Sequence, residues 1–256
     1  MSARREQLVS ELAEYGILIT TEQADLLVSY LQLVTERNKV VNLTRITDPE
    51  DAVTLHLVDS LLPLACKKLE VGSDSRLLDM GTGAGFPGVP LAVVTEAQAL
   101  LVDSVRKKVD AVSEFCQTLG LSKITTRHAR LEELARELPC SQDYVFARAV
   151  ARTNVLLEYA TPFLSMGGLL VVEKARPEDE ELEEAERAAR VCGMSCVSRE
   201  TFELSRELGH REILIYKRIG KPQIKLPRNN GMAKQKPLGI KKNVPRETKG
   251  IGSKEK

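Results

Sequence analysis

The chain has 256 residues, with 37 Lys or Arg against 36 Asp or Glu and a net charge of +1; 43% of residues are hydrophobic. Those values suit a globular chain with one α/β domain and some additions, and no run approaches the ~20 apolar residues of a membrane-spanning helix. The absence of Trp and an aromatic content of 4% argue against a base-stacking platform for single-stranded RNA.

The first 70 residues read as a small helical cap. Leu8, Leu12 and Tyr15 recur at helical spacing. Thr20 to Gln23 forms a capping box, followed by an apolar face of Leu26, Leu27, Tyr30, Leu31 and Val34. Asp48-Pro49 opens a further helix, with Val53, Leu57, Leu61 and Leu64 as its stripe. Between these helices lies a polar loop with Asn38, Asn42 and Thr44, for which local turn-making is the simpler role. His56 and Asp59-Ser60 follow, and His56 reads as a satisfied core or surface histidine.

From Ser75 the pattern alternates. Strands are expected near 76–80, 99–103, 123–127, 143–149 and 168–174, and helices near 88–96, 104–119, 131–137, 153–163 and 178–192. This predicts a parallel sheet covered on both faces. Glu180, Glu181, Glu183 and Glu184 read as the solvated face of the last helix. Two closing strands, 195–204 and 212–218, predict a terminal antiparallel hairpin. That ending is typical of methyltransferases that use S-adenosylmethionine. The core therefore spans 71–218.

Beyond it lies a basic tail, 219–256. From Lys217 to Lys256 there are 13 Lys or Arg and 2 acids, a charge of +11, against −10 for the rest. The tail carries Pro222, Pro227, Pro237 and Pro245 with little apolar material, so it reads as mostly disordered when free. Its charge suggests a polyanionic partner, with a passive solvated tail as the other reading. Five cysteines without paired spacing argue against a zinc site and for small buried residues in a reducing compartment. The N-terminus lacks an export signal. A cytoplasmic protein without a metal is expected.

The chemistry centres on Arg76–Leu91, RLLDMGTGAGFPGVPL. An apolar strand ends at Asp79, and Gly81, Gly83, Gly85 and Gly88 follow before a helix start. Such a turn lets a ligand approach the backbone and offers free N–H groups. Gly83-x-Gly85-x-x-Gly88 satisfies the dinucleotide fingerprint. Asp79-x-Gly81-x-Gly83-x-Gly85 instead suits S-adenosylmethionine, because a carboxylate beside the loop favours a sulfonium or amino group and repels a pyrophosphate. Either cofactor expects an acid after the next strand, and Asp103 fills that place about twenty residues on. The motif alone leaves both readings open, as well as a turn with no ligand.

Several stretches together resemble one family. They are Asn38-Lys-Val-Val-Asn42-Leu-Thr44, His56-Leu-Val-Asp59-Ser60, Asp79 to Pro90, Val102-Asp103-Ser104 with Arg106-Lys107-Lys108, Arg130-Leu-Glu132-Glu133 and Ala147-Arg148-Ala149. In this order they resemble the RsmG (GidB) family of bacterial 16S rRNA methyltransferases, and the likeness runs over nearly the whole chain. The basic tail resembles the extension of some members. The resemblance implies a Rossmann-like class I methyltransferase sheet, S-adenosylmethionine as cofactor, and methyl transfer to guanine N7 in the 530 loop of 16S rRNA. The partner would be that RNA, the small subunit or its assembly intermediate. It also implies cofactor contacts at Gly81, Phe86, Leu131, Glu132 and Arg148, with Gly83, Gly85 and Asp103 fitting the same cradle. Two positions depart from the pattern: Arg37 stands where many members carry Trp, and Glu173-Lys174-Ala175 where Leu-Lys-Gly is usual.

Guanine N7 carries a lone pair and no proton, so this chemistry expects no general base and depends on alignment of the reactants. Arg148 is the first candidate for positioning the base through O6 or a phosphate, with a strand-end ion pair as its bland role. Arg211, Lys174 and Asn42 are weaker candidates for substrate contact. Two other functions fit the sequence in part: a nicotinamide-dependent oxidoreductase, which lacks a substrate domain of ordinary size here, and a non-catalytic RNA-binding assembly factor on an old methyltransferase fold.

Overall fold

In the computed structural model, residues 2–46 and 48–241 are described. Seven strands form one sheet: β1 (Arg76–Met80), β2 (Gln98–Asp103), β3 (Ile124–His128), β4 (Gln142–Arg148), β5 (Leu164–Lys174), β6 (Met194–Leu204) and β7 (Gly209–Arg218), in the order β3-β2-β1-β4-β5-β7-β6. The first five are parallel, and β7 runs antiparallel between β5 and β6. Every expected strand is present within a few residues. The largest extension is β5, which begins at Leu164 because Leu164 pairs with Gln142 across an irregularity in the β4–β5 register. In the hairpin, β7 takes the inner place. Ile213 to Tyr216 are buried on both faces, as an inner strand requires, whereas β6 alternates half-buried and exposed residues like an edge.

Strand order reverses between β1 and β4, and this opens a crevice at the carboxyl ends of the strands. One sheet face is covered by α7 (Leu131–Glu137), α8 (Thr153–Ala160) and α9 (Asp179–Cys192). The other is covered by α1 (Ser2–Glu14), α2 (Thr21–Asn38), α5 (Gly88–Thr95) and α6 (Arg106–Thr118). With them lies a continuous helical run built from α3 (Pro49–Ala52), a π-helical turn (Val53–Val58), α4 (Asp59–Leu61) and a 3₁₀ turn (Leu62–Ala65). The capping box forms, with Thr20 Oγ1 accepting from Gln23 N at 3.2 Å and Gln23 Oε1 accepting from Thr20 N at 2.9 Å. Tyr30 of α2 is fully buried, edge-on to Phe86 and Phe115, so the cap shares one core with the sheet. Arg37 pairs with Glu114 and lies 6.0 Å from the Phe115 ring, which fastens the end of α2 to α6.

Three expectations are corrected. Glu181 and Glu184 are buried and not a solvated face: Glu181 accepts from Thr153 N and pairs with Lys174, while Glu184 pairs with Arg152. Cys140 is exposed, in contrast to buried Cys66, Cys116 and Cys192. The basic tail is not free over Ile219–Lys241. Arg228 makes two hydrogen bonds to buried Glu158, at 2.7 and 2.5 Å, and Gly231 N donates to Glu132 at 2.7 Å. Asn154 Nδ2 donates to Leu238 O at 2.9 Å, and Lys241 pairs with Glu183 at 2.8 Å. A short helix, α10 (Met232–Gln235), buries Ala233. The physical reason is charge: the acidic body is itself a polyanionic partner for this segment. The same expectation for 242–256 lies outside the described residues.

Candidate methyl-transfer site

Alternation of side chains along the strands sets the floor of the site. Leu77, Phe146, Val171 and Ile213 belong to the cap-side core, so Asp79, Arg148, Glu173 and Arg211, two residues along each strand, share that face. All four stand at the carboxyl edge of the parallel strands. Beside them is a cavity of about 480 Å³, within the range of small-molecule sites. Gly81, Gly83 and Phe86 of the loop line it, with Thr44 and His56 of the cap.

The loop after β1 is held from beneath. Asp79 Oδ2 accepts from Thr82 Oγ1 at 2.6 Å and from Gly88 N at 2.9 Å. Burial pushes the Asp79 carboxyl up to about 6, against the lowering effect of those two donors. Its role is therefore to shape the turn. It also occupies the N–H of Gly88 that a pyrophosphate would need, which counts against the dinucleotide reading. Asp103 Oδ2 accepts from Gly83 N at 3.0 Å and its Oδ1 from Val105 N at 2.8 Å. Each oxygen keeps a lone pair for a further hydroxyl. Gly83 has φ +60°, and a Cβ there would meet only Gly81 O at 3.9 Å, so its outer side is open to a ligand. Gly85, at φ +89°, faces inward: a Cβ would lie 2.0 Å from Tyr30 Oη, which donates to Ala84 O at 2.8 Å.

The cap closes the other side. The π-helical turn carries His56, whose ring stacks on Phe86 at 4.5 Å and whose Nε2 is 3.0 Å from Thr44 Oγ1. Burial, followed by the Arg148 charge, lowers His56 to about 3, so its imidazole is neutral. One helical turn on, Asp59 binds two arginines: Arg148 Nη1 at 3.1 Å and Arg211 Nε at 2.8 Å. Arg148 also donates to Leu55 O at 3.0 Å, and its guanidinium lies 5.7 Å from the Phe86 ring centre.

The model of the family rRNA small subunit methyltransferase G (GidB) matches residues 23–209. The chain belongs to this family. A relative from Desulfitobacterium hafniense, named ribosomal RNA small subunit methyltransferase G, is 36% identical over 93% of this chain and 100% of its own length. A relative of the same name from Carboxydothermus hydrogenoformans is 34% identical over 91% and 99%. Among solved structures, a putative sarcosine dimethylglycine methyltransferase from Galdieria sulphuraria matches with TM-score 0.51 at 12% identity, covering 68% of this chain and 89% of that one. The cyclase SpnF matches with TM-score 0.53 at 16% identity, covering 80% and 98%. These two likenesses concern the fold, and a cyclase on the same frame shows that the frame does not set the reaction.

For this GidB-family chain, the candidate residues divide into three groups. Gly81, Gly83, Phe86, Arg148, Arg211 and Lys174 line the one cavity, and Asp103 adjoins it through Gly83. The Lys174 ammonium, however, is turned to Glu181 at 2.7 Å and to Ala151 O at 2.8 Å. Gly85 supports the loop from the Tyr30 side. Leu131, Glu132 and Asn42 are absent from the cavity wall: Glu132 receives the Gly231 N–H, and Asn42 is exposed while its neighbours Leu43 and Thr44 face the cavity. Asn38 makes the turn, accepting from Leu43 N and Thr44 N. Sequence reasoning missed Asp59 and Glu173 as parts of the site. Asp59 stood in a quoted motif without an assigned partner, and Glu173 was legible only as a charge in an otherwise apolar strand.

Proposed function

We propose that the chain transfers a methyl group from S-adenosylmethionine to N7 of a guanosine in the 530 loop of 16S rRNA. The observation that carries this reading is the cavity at the β1–β4 crevice in a member of the GidB family, floored by the glycine loop and walled by Arg148 and Arg211. The residues fit such a cofactor: Gly83 is open on its ligand side, and Asp103 keeps acceptor capacity at the end of β2 for ribose hydroxyls. When bound, the cofactor supplies an electrophilic methyl group on a sulfonium.

The rest is the work of the chain. Gly81 and Gly83 let backbone lie against the ligand without a Cβ between them. Neutral His56 stacked on Phe86 forms an apolar wall that excludes water and adds no repelling charge. No proton leaves N7, so the neutrality of His56 costs the reaction nothing. Arg148 and Arg211, held in place by Asp59, present N–H donors for guanine O6 or a flanking phosphate. Positioning rather than proton transfer supplies the rate.

The test is methyl transfer from tritiated cofactor to intact small subunits and to naked 16S RNA, followed by digestion and nucleoside mass analysis. Radiolabelled 7-methylguanosine mapping to the 530 loop is expected. Label in another nucleoside would refute the assignment to N7, and protein that binds RNA without transferring label would leave an assembly factor.

A further inference from the structure

Glu173 is the one group in this site whose chemistry is unused. Its side chain points to the cap-side face at the end of β5, between Arg148 on β4 and Ile213 on β7. It lines the cavity, is 4% exposed, and neither carboxyl oxygen has a hydrogen-bond partner. A buried carboxyl left in that condition is strongly unfavourable, so a purely structural site would fill it with an apolar side chain. The charged groups around it are Arg148 from β4, Asp59 from the cap helix, Asp79 from β1 and Arg211 from β7, with the Cys66 thiol also near. Both arginines are already committed to Asp59.

We propose that Glu173 is a specificity residue for the substrate base, its two oxygens accepting N1–H and N2–H of the target guanine. The inference rests on the guanine-N7 reading above. Guanine is the base whose six-membered ring presents two adjacent N–H donors, and a carboxylate accepts both. Adenine presents an acceptor at N1 and would be repelled. Burial, with Asp59 and Asp79, holds the resting carboxyl well above the usual carboxylate range, whereas Arg148 and Arg211 pull it down. Two N–H donors from the base favour the ionised form, and the displaced proton goes to solvent. Methylation at N7 then places a positive charge on the purine, which makes N1–H a stronger donor. The contact therefore tightens as the methyl group moves and favours the transition state over bound substrate. Both oxygens are covered in the structure, so entry of the base requires the adjacent Arg148–Asp59–Arg211 tie to give way.

The experiment compares wild type, Glu173→Gln and Glu173→Leu on reconstituted small subunits carrying guanosine or inosine at the methylated position. Inosine keeps N7, O6 and N1–H but lacks the 2-amino group. Wild type should lose at least tenfold in kcat/KM on inosine, the size expected for one hydrogen bond to a charged group. Both variants should lose at least tenfold on guanosine and treat the two subunits alike. Their S-adenosylmethionine affinity should stay within twofold of wild type, and Glu173→Leu should melt no lower than wild type. Variants that still discriminate against inosine, or that keep wild-type kcat/KM on guanosine, would overturn the role of Glu173 while leaving the guanine-N7 reading intact. A Glu173→Leu variant that loses activity only in step with lost stability would do the same. Wild-type methylation of a different atom would remove both readings together.

Discussion

Gly83 and Gly85 both have positive φ in the same loop, yet the structure predicts opposite defects for their alanine variants. At Gly85 the added Cβ lies 2.0 Å from Tyr30 Oη and 3.0 Å from Val89 Cγ2. Tyr30 is fully buried and its hydroxyl is committed to Ala84 O, so it has nowhere to move. The cost combines left-handed backbone for a non-glycine residue, about 1–2 kcal/mol, overpacking of about 1–3 kcal/mol, and a broken buried hydrogen bond of about 1–3 kcal/mol. At about 2–4 °C per kcal/mol for a chain of this size, Gly85→Ala should melt roughly 10–20 °C lower. At Gly83 only the backbone cost of about 1–2 kcal/mol applies, because the nearest atom to its Cβ is 3.9 Å away. Gly83→Ala should therefore fold with a small loss of stability but bind S-adenosylmethionine at least tenfold more weakly, since the methyl group occupies the ligand side of the loop. Thermal unfolding and isothermal titration of both variants with the cofactor make the comparison. Wild-type cofactor affinity in Gly83→Ala would refute the assignment of this loop as the cofactor floor, and a well-folded Gly85→Ala would refute the packing argument.

Arg148→Ala should reduce methyl transfer at least a hundredfold while lowering stability far less, because Asp59 keeps Arg211 as a partner; equal activity in single-turnover assays would remove Arg148 from the mechanism. His56 is held at about 3, below its ordinary 6.5, so its contribution is fully present above pH 6.5 and is lost as pH falls toward 3. That is roughly 4–5 kcal/mol over the window, and denaturant titrations of His56→Phe should show a shallower loss of stability in acid than wild type. Parallel pH profiles would show that His56 does not drive acid unfolding. Arg228→Ala leaves Glu158, only 3% exposed, without its partner and should cost about 3–5 kcal/mol. Adding Glu158→Gln should restore much of that loss, and no recovery in the double variant would mean that the pair is not what holds the segment down. Truncation after Arg218 should weaken binding to small subunits and reduce its salt dependence; an unchanged salt slope would mean that 219–256 makes no phosphate contacts.

Local chemistry carried much of this protein into view. The capping box at Thr20 and Gln23, the glycine turn after Asp79, the acid at the end of β2 and the alternation of strands with helices are all short-range patterns, and the structure contains each of them. Such patterns act over a few residues, so the backbone that they demand can be read directly. Tertiary structure alone decided where charges met. It placed Arg148, Asp59 and Arg211, separated by up to 152 residues, in one tie at the cavity. It turned Lys174 toward Glu181, moved Glu132 to the C-terminal segment, and left Glu173 buried without a partner. It also gave the basic stretch from Ile219 to Lys241 the acids of α7, α8 and α9 as partners. Electrostatic partners are selected by distance in the folded state, and composition records only how many of each sign are present.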